Sequence, residues 1–203
     1  MKLRYTIVAS LCALLALPAA GIAQNLTSNP GFETGDLTDW LVFGPGAVTV
    51  LNTDNGPSAP GSHYAFLDNQ TEGTATLLKQ STADGSITEG MASYSVDLNV
   101  TETGPGGVIF VQVFAEQPNG GVLAGSGLQG PYFPSGGWIT VAGSFMAPAG
   151  SDFLTIQIEA VTGAVAGSTA KVCADNIDLQ GEEPVATESV TWSRIKNLVE
   201  AGL

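Results

Sequence analysis

The chain has 203 residues, and its 19 Asp and Glu residues against six Lys and Arg give a formal net charge of −13. With so few cations no basic patch can form, which excludes nucleic acid and disfavours anionic polymers and anionic lipid; a neutral ligand or a cation suits the balance better. The length suits one domain with a short tail. The first 23 residues read as a secretory signal: Lys2 and Arg4 form a basic start, Ile7 to Leu17 is a short apolar run, and Gly21-Ile22-Ala23 supplies small residues for cleavage near Ala23. The apolar run is too short to span a membrane, so the expected location is secreted or at the cell surface. Without Lys2 and Arg4 the charge is −15. Cys12 leaves with the signal, and the bulky Leu11 before it does not suit a lipoprotein site. Cys173 is then alone, no internal disulfide forms, and stability must come from a core or a metal. Its apolar strand context predicts a buried, inert thiol.

Residues 29 to 40 read NPGFETGDLTDW, rich in turn formers yet carrying Phe32, Trp40 and three acids. On its own the stretch reads as a loop, an acidic catalytic site or the edge of a folded module. The chain beyond it has strand period. Tyr94 to Val100 and Leu154 to Ala160 alternate cleanly, and Val108 to Ala115 is apolar except for Gln112. Further strands are predicted near 45–51, 62–68, 73–80, 138–146 and 169–179, separated by loops such as Gly104 to Gly107 and Pro134 to Gly137. No helix is predicted before residue 186. Many short strands at this spacing predict an all-β sandwich or jelly roll. Alternation also assigns faces: with Tyr94, Val96 and Leu98 inside, Ser95, Asp97 and Asn99 point out, and with Leu154, Ile156 and Ile158 inside, Thr155, Gln157 and Glu159 point out. A sheet face bearing Gln, Asn and Asp suits sugar hydroxyls, and equally suits water.

The segment Gly181-Glu182-Glu183-Pro184 ends the strand pattern, so the domain is read as 24–181 and the tail as 182–203. In Thr187 to Leu203, Trp192, Ile195, Leu198 and Val199 recur at helical spacing, with Arg194, Lys196 and Asn197 between them. Ser189 or Thr191 is placed to cap this helix. About three turns are marginal alone, so the tail needs a surface to dock on, either its own domain or a protein partner. It is too short and charged to anchor in a membrane.

Asn25-Leu26, then Asn29-Pro30-Gly31-Phe32-Glu33-Thr34-Gly35, then Trp40, resembles the opening signature of carbohydrate-binding modules of the CenC-like type, within the galactose-binding-like jelly rolls. Ala174-Asp175-Asn176-Ile177-Asp178-Leu179 resembles their closing strand, and Ser62 to Leu67 and Gly137 to Val141 fall where they carry a second strand and a late Trp strand. The resemblance covers about 24 to 181. It implies a jelly-roll sandwich, a non-catalytic role in binding a neutral oligo- or polysaccharide, and a structural calcium. By position the metal side chains are Glu33 and Asp175, with Asp36 in the adjoining loop; otherwise Glu33 bonds loop amides and Asp175 caps a turn. Gly31 and Gly35 would allow a tight loop, and Phe32 and Trp40 would anchor it in the core. Sugar binding needs aromatic rings with polar groups beside them. The ring candidates are Tyr132, Phe133 and Trp138, with Tyr64 and Phe43, and the polar candidates are Gln112, Gln157 and His63, with Asn99.

Two other readings compete. A glycosidase would need a pair of carboxylates. No motif singles one out, and His63 as the only histidine excludes multi-histidine metal catalysis, so an enzyme is not expected. A cell-surface or matrix scaffold would use the jelly roll for adhesion and the tail as a sorting or partner-binding element.

Overall fold

In the computed structural model, residues 24–52 and 62–184 are described. The signal-peptide reading and the helical reading of 187–203 lie outside these residues. Eleven strands run through the described chain: β1 (Leu41–Phe43), β2 (Ala47–Asn52), β3 (His63–Asn69), β4 (Ala75–Ser81), β5 (Gly90–Thr103), β6 (Val108–Glu116), β7 (Val122–Gly125), β8 (Gln129–Tyr132), β9 (Ile139–Ala147), β10 (Phe153–Val161) and β11 (Ala170–Gln180). All pairings are antiparallel. The first sheet has the order β1-β4-β10-β6-β7, with β8 sharing the β6 edge; the second has the order β2-β3-β11-β5-β9. The eight predicted strands all form. The three additional strands, β1, β7 and β8, have three or four residues each and lie at sheet edges, where short runs show no clear period.

The inward faces follow the alternation. Tyr94, Val96, Leu98 and Val100 of β5 meet Ile109, Val111 and Val113 of β6 and Leu154, Ile156 and Ile158 of β10 in one buried cluster. Each of these side chains contributes about 1.5–3 kcal/mol by leaving water. Phe32 (0% exposed) and Trp40 (5%) belong to the same cluster with ring centroids 5.3 Å apart, so the NPGFETGDLTDW loop is pinned into the core as expected.

The N-terminal segment is laced to the last strand. The Leu26 amide donates to Leu179 O (2.8 Å), and the Ile177 amide donates to Pro30 O (3.0 Å). The Asn25 side-chain amide donates to Ile177 O (2.8 Å) while its oxygen accepts from the Leu179 amide (3.1 Å). Buried Gln80 of β4 holds the segment from the other sheet. It accepts from the Ser28 amide (2.8 Å) and donates to Ser28 O (2.9 Å) and Asp39 O (3.2 Å). These side chains replace ladder bonds that an irregular segment would otherwise leave unmade.

Candidate binding face and acidic centre

The candidate residues fall in three places. Gln112 (β6) and Gln157 (β10) are Cα partners on the outer face of the first sheet. Paired residues share a face, so the register extends this into rows. One row runs Leu41, Lys79, Gln157, Gln112; the next runs Phe43, Leu77, Glu159, Phe110; a third runs Ser81, Thr155, Phe114. Four strands at about 4.8 Å spacing make the first two rows about 14 Å long. Phe43 is 47% and Leu41 58% exposed, while Gln112, Gln157, Phe110 and Phe114 are half-buried. The Gln157 amide donates to Glu159 Oε1 at 2.5 Å, which orients it beside Gln112. The result is an amide pair between phenylalanine rings, matched to a ligand with both apolar faces and hydroxyls. Phe110 and Phe114 were not among the sequence candidates, although both lie in phase with Gln112.

Trp138 and His63 lie on the second sheet. Trp138 precedes β9 and meets Tyr64 edge-on at 5.7 Å and 75°. Tyr64 is 8% exposed and hydrogen-bonds the buried Cys173 thiol; burial pushes that thiol up to about 11, in keeping with the inert cysteine expected. Tyr132 and Phe133 lie at the β8 edge. Tyr132 packs against the core, and burial followed by the neighbouring Tyr94 raises its hydroxyl. Phe133 is 53% exposed. The structure therefore gathers Gln112 and Gln157 into one face; His63 and Trp138 belong to the second sheet, Tyr132 turns to the core, and Phe133 is exposed just past the β8 edge.

The acidic centre forms where the N-terminal loop crosses β11. A Cβ on Gly31 would lie 3.4 Å from Asp175 Oδ1 and 3.9 Å from Glu33 Oε1, so the two carboxylates converge on that glycine. Asp175 is 3% exposed. Burial raises its carboxyl most, the Asn176 amide bond at 2.7 Å opposes this, and the charges of Glu33 and Asp97 add to the rise, taking it to about 7. A register shift between Asp175 and Asp178, with Asn176 at φ +48°, turns this carboxylate toward the loop. Asp97, the Cα partner of Asp175, is held by Thr140 Oγ1 (2.6 Å) and Asn176 Nδ2 (2.9 Å). Glu33 accepts from the His63 amide (3.3 Å) and meets His63 Nδ1 at 3.2 Å, so His63 braces a carboxylate. Asp36 is turned to its own loop, accepting from Thr34 Oγ1 (2.8 Å) and the Thr38 amide (3.0 Å), and these bonds, those from Thr38 first, lower its carboxyl.

Among the described residues no group of three or more His, Cys, Asp or Glu side chains is arranged to hold a metal, and Asp175 belongs to neither of their two ion pairs, His63–Glu33 and Lys171–Glu102. What the centre offers is two convergent carboxylates: Glu33 is paired with His63, and Asp175 is buried with no ion pair of its own, His63 offsetting its charge only weakly. That chemistry fits a hard cation whose remaining ligands are backbone carbonyls and water.

No family model matches the chain, and no curated protein matches it. Solved structures do. The chain is similar to TmCBM61 in complex with β-1,4-galactotriose (17% identity, TM-score 0.52, covering 79% of this chain and 100% of that one). It is similar to the CBM22-1 xylan-binding domain of Xyn10C from Paenibacillus barcinonensis (15% identity, TM-score 0.53, 80% and 97%). It is also similar to the enzymatically active domain of tailspike protein 4 of bacteriophage CBA120 (17% identity, TM-score 0.59), of which it spans 21% while 77% of this chain is covered. At these identities the likeness establishes architecture: the described chain is a jelly-roll β-sandwich of the type found in carbohydrate-binding modules.

Proposed function

We propose that the protein is an exported, non-catalytic carbohydrate-binding module that takes a neutral oligo- or polysaccharide on the outer face of the first sheet. The observation that carries this reading is the row of Lys79, Gln157 and Gln112 set beside the row of Phe43, Leu77, Glu159 and Phe110. Rings pack against the apolar faces of sugars, and amides exchange hydrogen bonds with hydroxyls. The sugar-bound and xylan-binding structures of the same fold support the class of ligand. The strongly acidic chain argues against an anionic polysaccharide.

The same reading includes a structural calcium at Glu33 and Asp175. Calcium there would supply positive charge beyond what His63 gives the pair. Glu33 and Asp175 hold the ion, His63 steadies Glu33, and the Asn176 amide orients Asp175. Together they tie the N-terminal loop to β11. Asp36, engaged within its own turn, is the weaker ligand.

The test is a glycan and polysaccharide panel run on the full chain with calcium and then with chelator. Binding to one neutral glycan class, lost in the double variant Gln112→Ala, Gln157→Ala with an unchanged melting curve, is the expected result. Silence from folded protein across the panel overturns the sugar reading and leaves a surface scaffold. Binding unaffected by the double variant moves the site elsewhere on the module.

A further inference from the structure

We infer that the tail, residues 187–203, docks on the outer face of the second sheet of its own domain, on a floor made by β5, β9 and the end of β11. Three observations lead there. The first is where the described chain ends. The Thr88 amide donates to Glu182 O (2.8 Å), and the Glu182 side chain lies where a Cβ on Gly90 would stand. The tail therefore departs beside the first residue of β5, and ten residues separate Glu182 from Trp192, enough to reach about 33 Å when extended.

The second observation is the surface at that point. Met91 and Met146 are Cα partners next to Gly90 and are 50% and 59% exposed. Beyond them on the same face the rows are Gln180, Ser93, Ser144 and then Asp178, Ser95, Ala142. Short side chains leave this floor flat enough for a helix to lie on, and methionine adapts to the shape laid against it. The tail is the segment that needs such a floor, because its Trp192, Ile195, Leu198 and Val199 form an apolar stripe too short to be stable alone.

The third observation is charge. From residue 24 on, the basic side chains are Lys79, Lys171, Arg194 and Lys196. Two of these, Arg194 and Lys196, lie in the middle of the tail with Glu188 and Glu200 nearer its ends, so the tail carries no net side-chain charge but is locally basic where its apolar residues fall; the floor is edged by Asp178 and Asp97 with no Lys or Arg in the rows named above. Local pairing of Arg194 and Lys196 with Asp178 and Asp97 orients the middle of the tail on this face, and the candidate sugar face on the first sheet stays open. The inference stands apart from the sugar reading and does not depend on it.

Hydrogen–deuterium exchange on the full chain tests it. The expected result is that amides of 190–200 are protected about tenfold or more over a free peptide of the same sequence. The double variant Met91→Asp, Met146→Asp should abolish that protection while leaving the exchange of β6 and β10, and so the sandwich, unchanged. Added salt should weaken the protection, since exposed charges are screened. Tail protection that is absent from the wild type, or survives the double variant, overturns the inference. Protection that grows with protein concentration, together with a dimer in light scattering, also overturns it and assigns the tail to a second copy.

Discussion

Replacing Asp175 with Asn keeps the shape of the side chain and removes its charge, so it isolates what the buried carboxylate does. Its carboxyl is raised from 3.8 to about 7, chiefly by burial. The folded chain therefore keeps this proton to a higher pH than the unfolded chain, and the contribution to stability is full below about pH 4 and lost as pH rises to about 7. At 1.36 kcal/mol per pH unit, going from pH 5 to pH 8 costs the calcium-free protein about 3 kcal/mol at this one site. Asp175→Asn removes that loss. In chelator the variant should exceed the wild type by about 1.5 kcal/mol at pH 5 and by about 4 kcal/mol at pH 8, the gap widening by about 3 kcal/mol across that range. With calcium the order reverses, because the ion binds the ionised carboxylate and stabilises the wild type by mass action, whereas the variant has lost a ligand. The assay is a set of urea melts on both proteins at pH 5, 6, 7 and 8, each with chelator and with excess calcium. If the variant is less stable than the wild type at pH 8 in chelator, the carboxylate is favourable where it sits and burial does not disfavour its charge. If calcium changes neither protein, the centre holds no such ion.

Gln112→Ala and Gln157→Ala should each weaken binding to the selected glycan by about tenfold, the loss of one or two hydrogen bonds, with melting temperatures unchanged; titration calorimetry reads this directly. Phe32→Ala empties a fully buried ring position and should destabilise the domain by about 3–5 kcal/mol in denaturant unfolding. The Cys173 thiol, pushed up to about 11 by burial, should react slowly with a disulfide reagent at pH 8 in the folded protein and rapidly in denaturant, since the thiolate is the reactive form. Labelling rates that do not differ would show that this strand opens freely.

Strand period alone located the body of the fold. Alternation in Tyr94 to Val100 and Leu154 to Ala160 correctly assigned the inward residues of β5 and β10, because a half-buried strand must match the period of the pleat; Thr155, expected to be exposed on the outer face, is instead buried there between Ser81 and Phe114. The candidate face was legible in part. Gln112 and Gln157 were visible as polar breaks in apolar strands, but their pairing depends on which strands are neighbours, and β10 beside β6 is a choice of topology. Phe110 and Phe114 were hidden because a ring on an outer face reads like core. The resemblance of the two ends brought out Glu33 and Asp175. The parts played by Asp97, Asn176 and Gln80 were not legible, since they rest on a register shift in β11 and on a side chain of β4 reaching across to the N-terminal segment.

The place of β11 has a consequence for how the molecule is made. The last strand among the described residues is the middle strand of the second sheet, bonded to β3 on one side and β5 on the other, and it also receives residues 25 to 30. Until residue 180 is in place, that sheet has a gap at its centre and the N-terminal segment has only Gln80 of β4 to hold it. Completion of the second sheet therefore depends on the strand most distant in sequence from β2, a non-local pairing that slows folding. A chain ending before β11 would keep every strand of the first sheet but leave β2–β3 and β5–β9 without the strand that joins them, so the second sheet closes last.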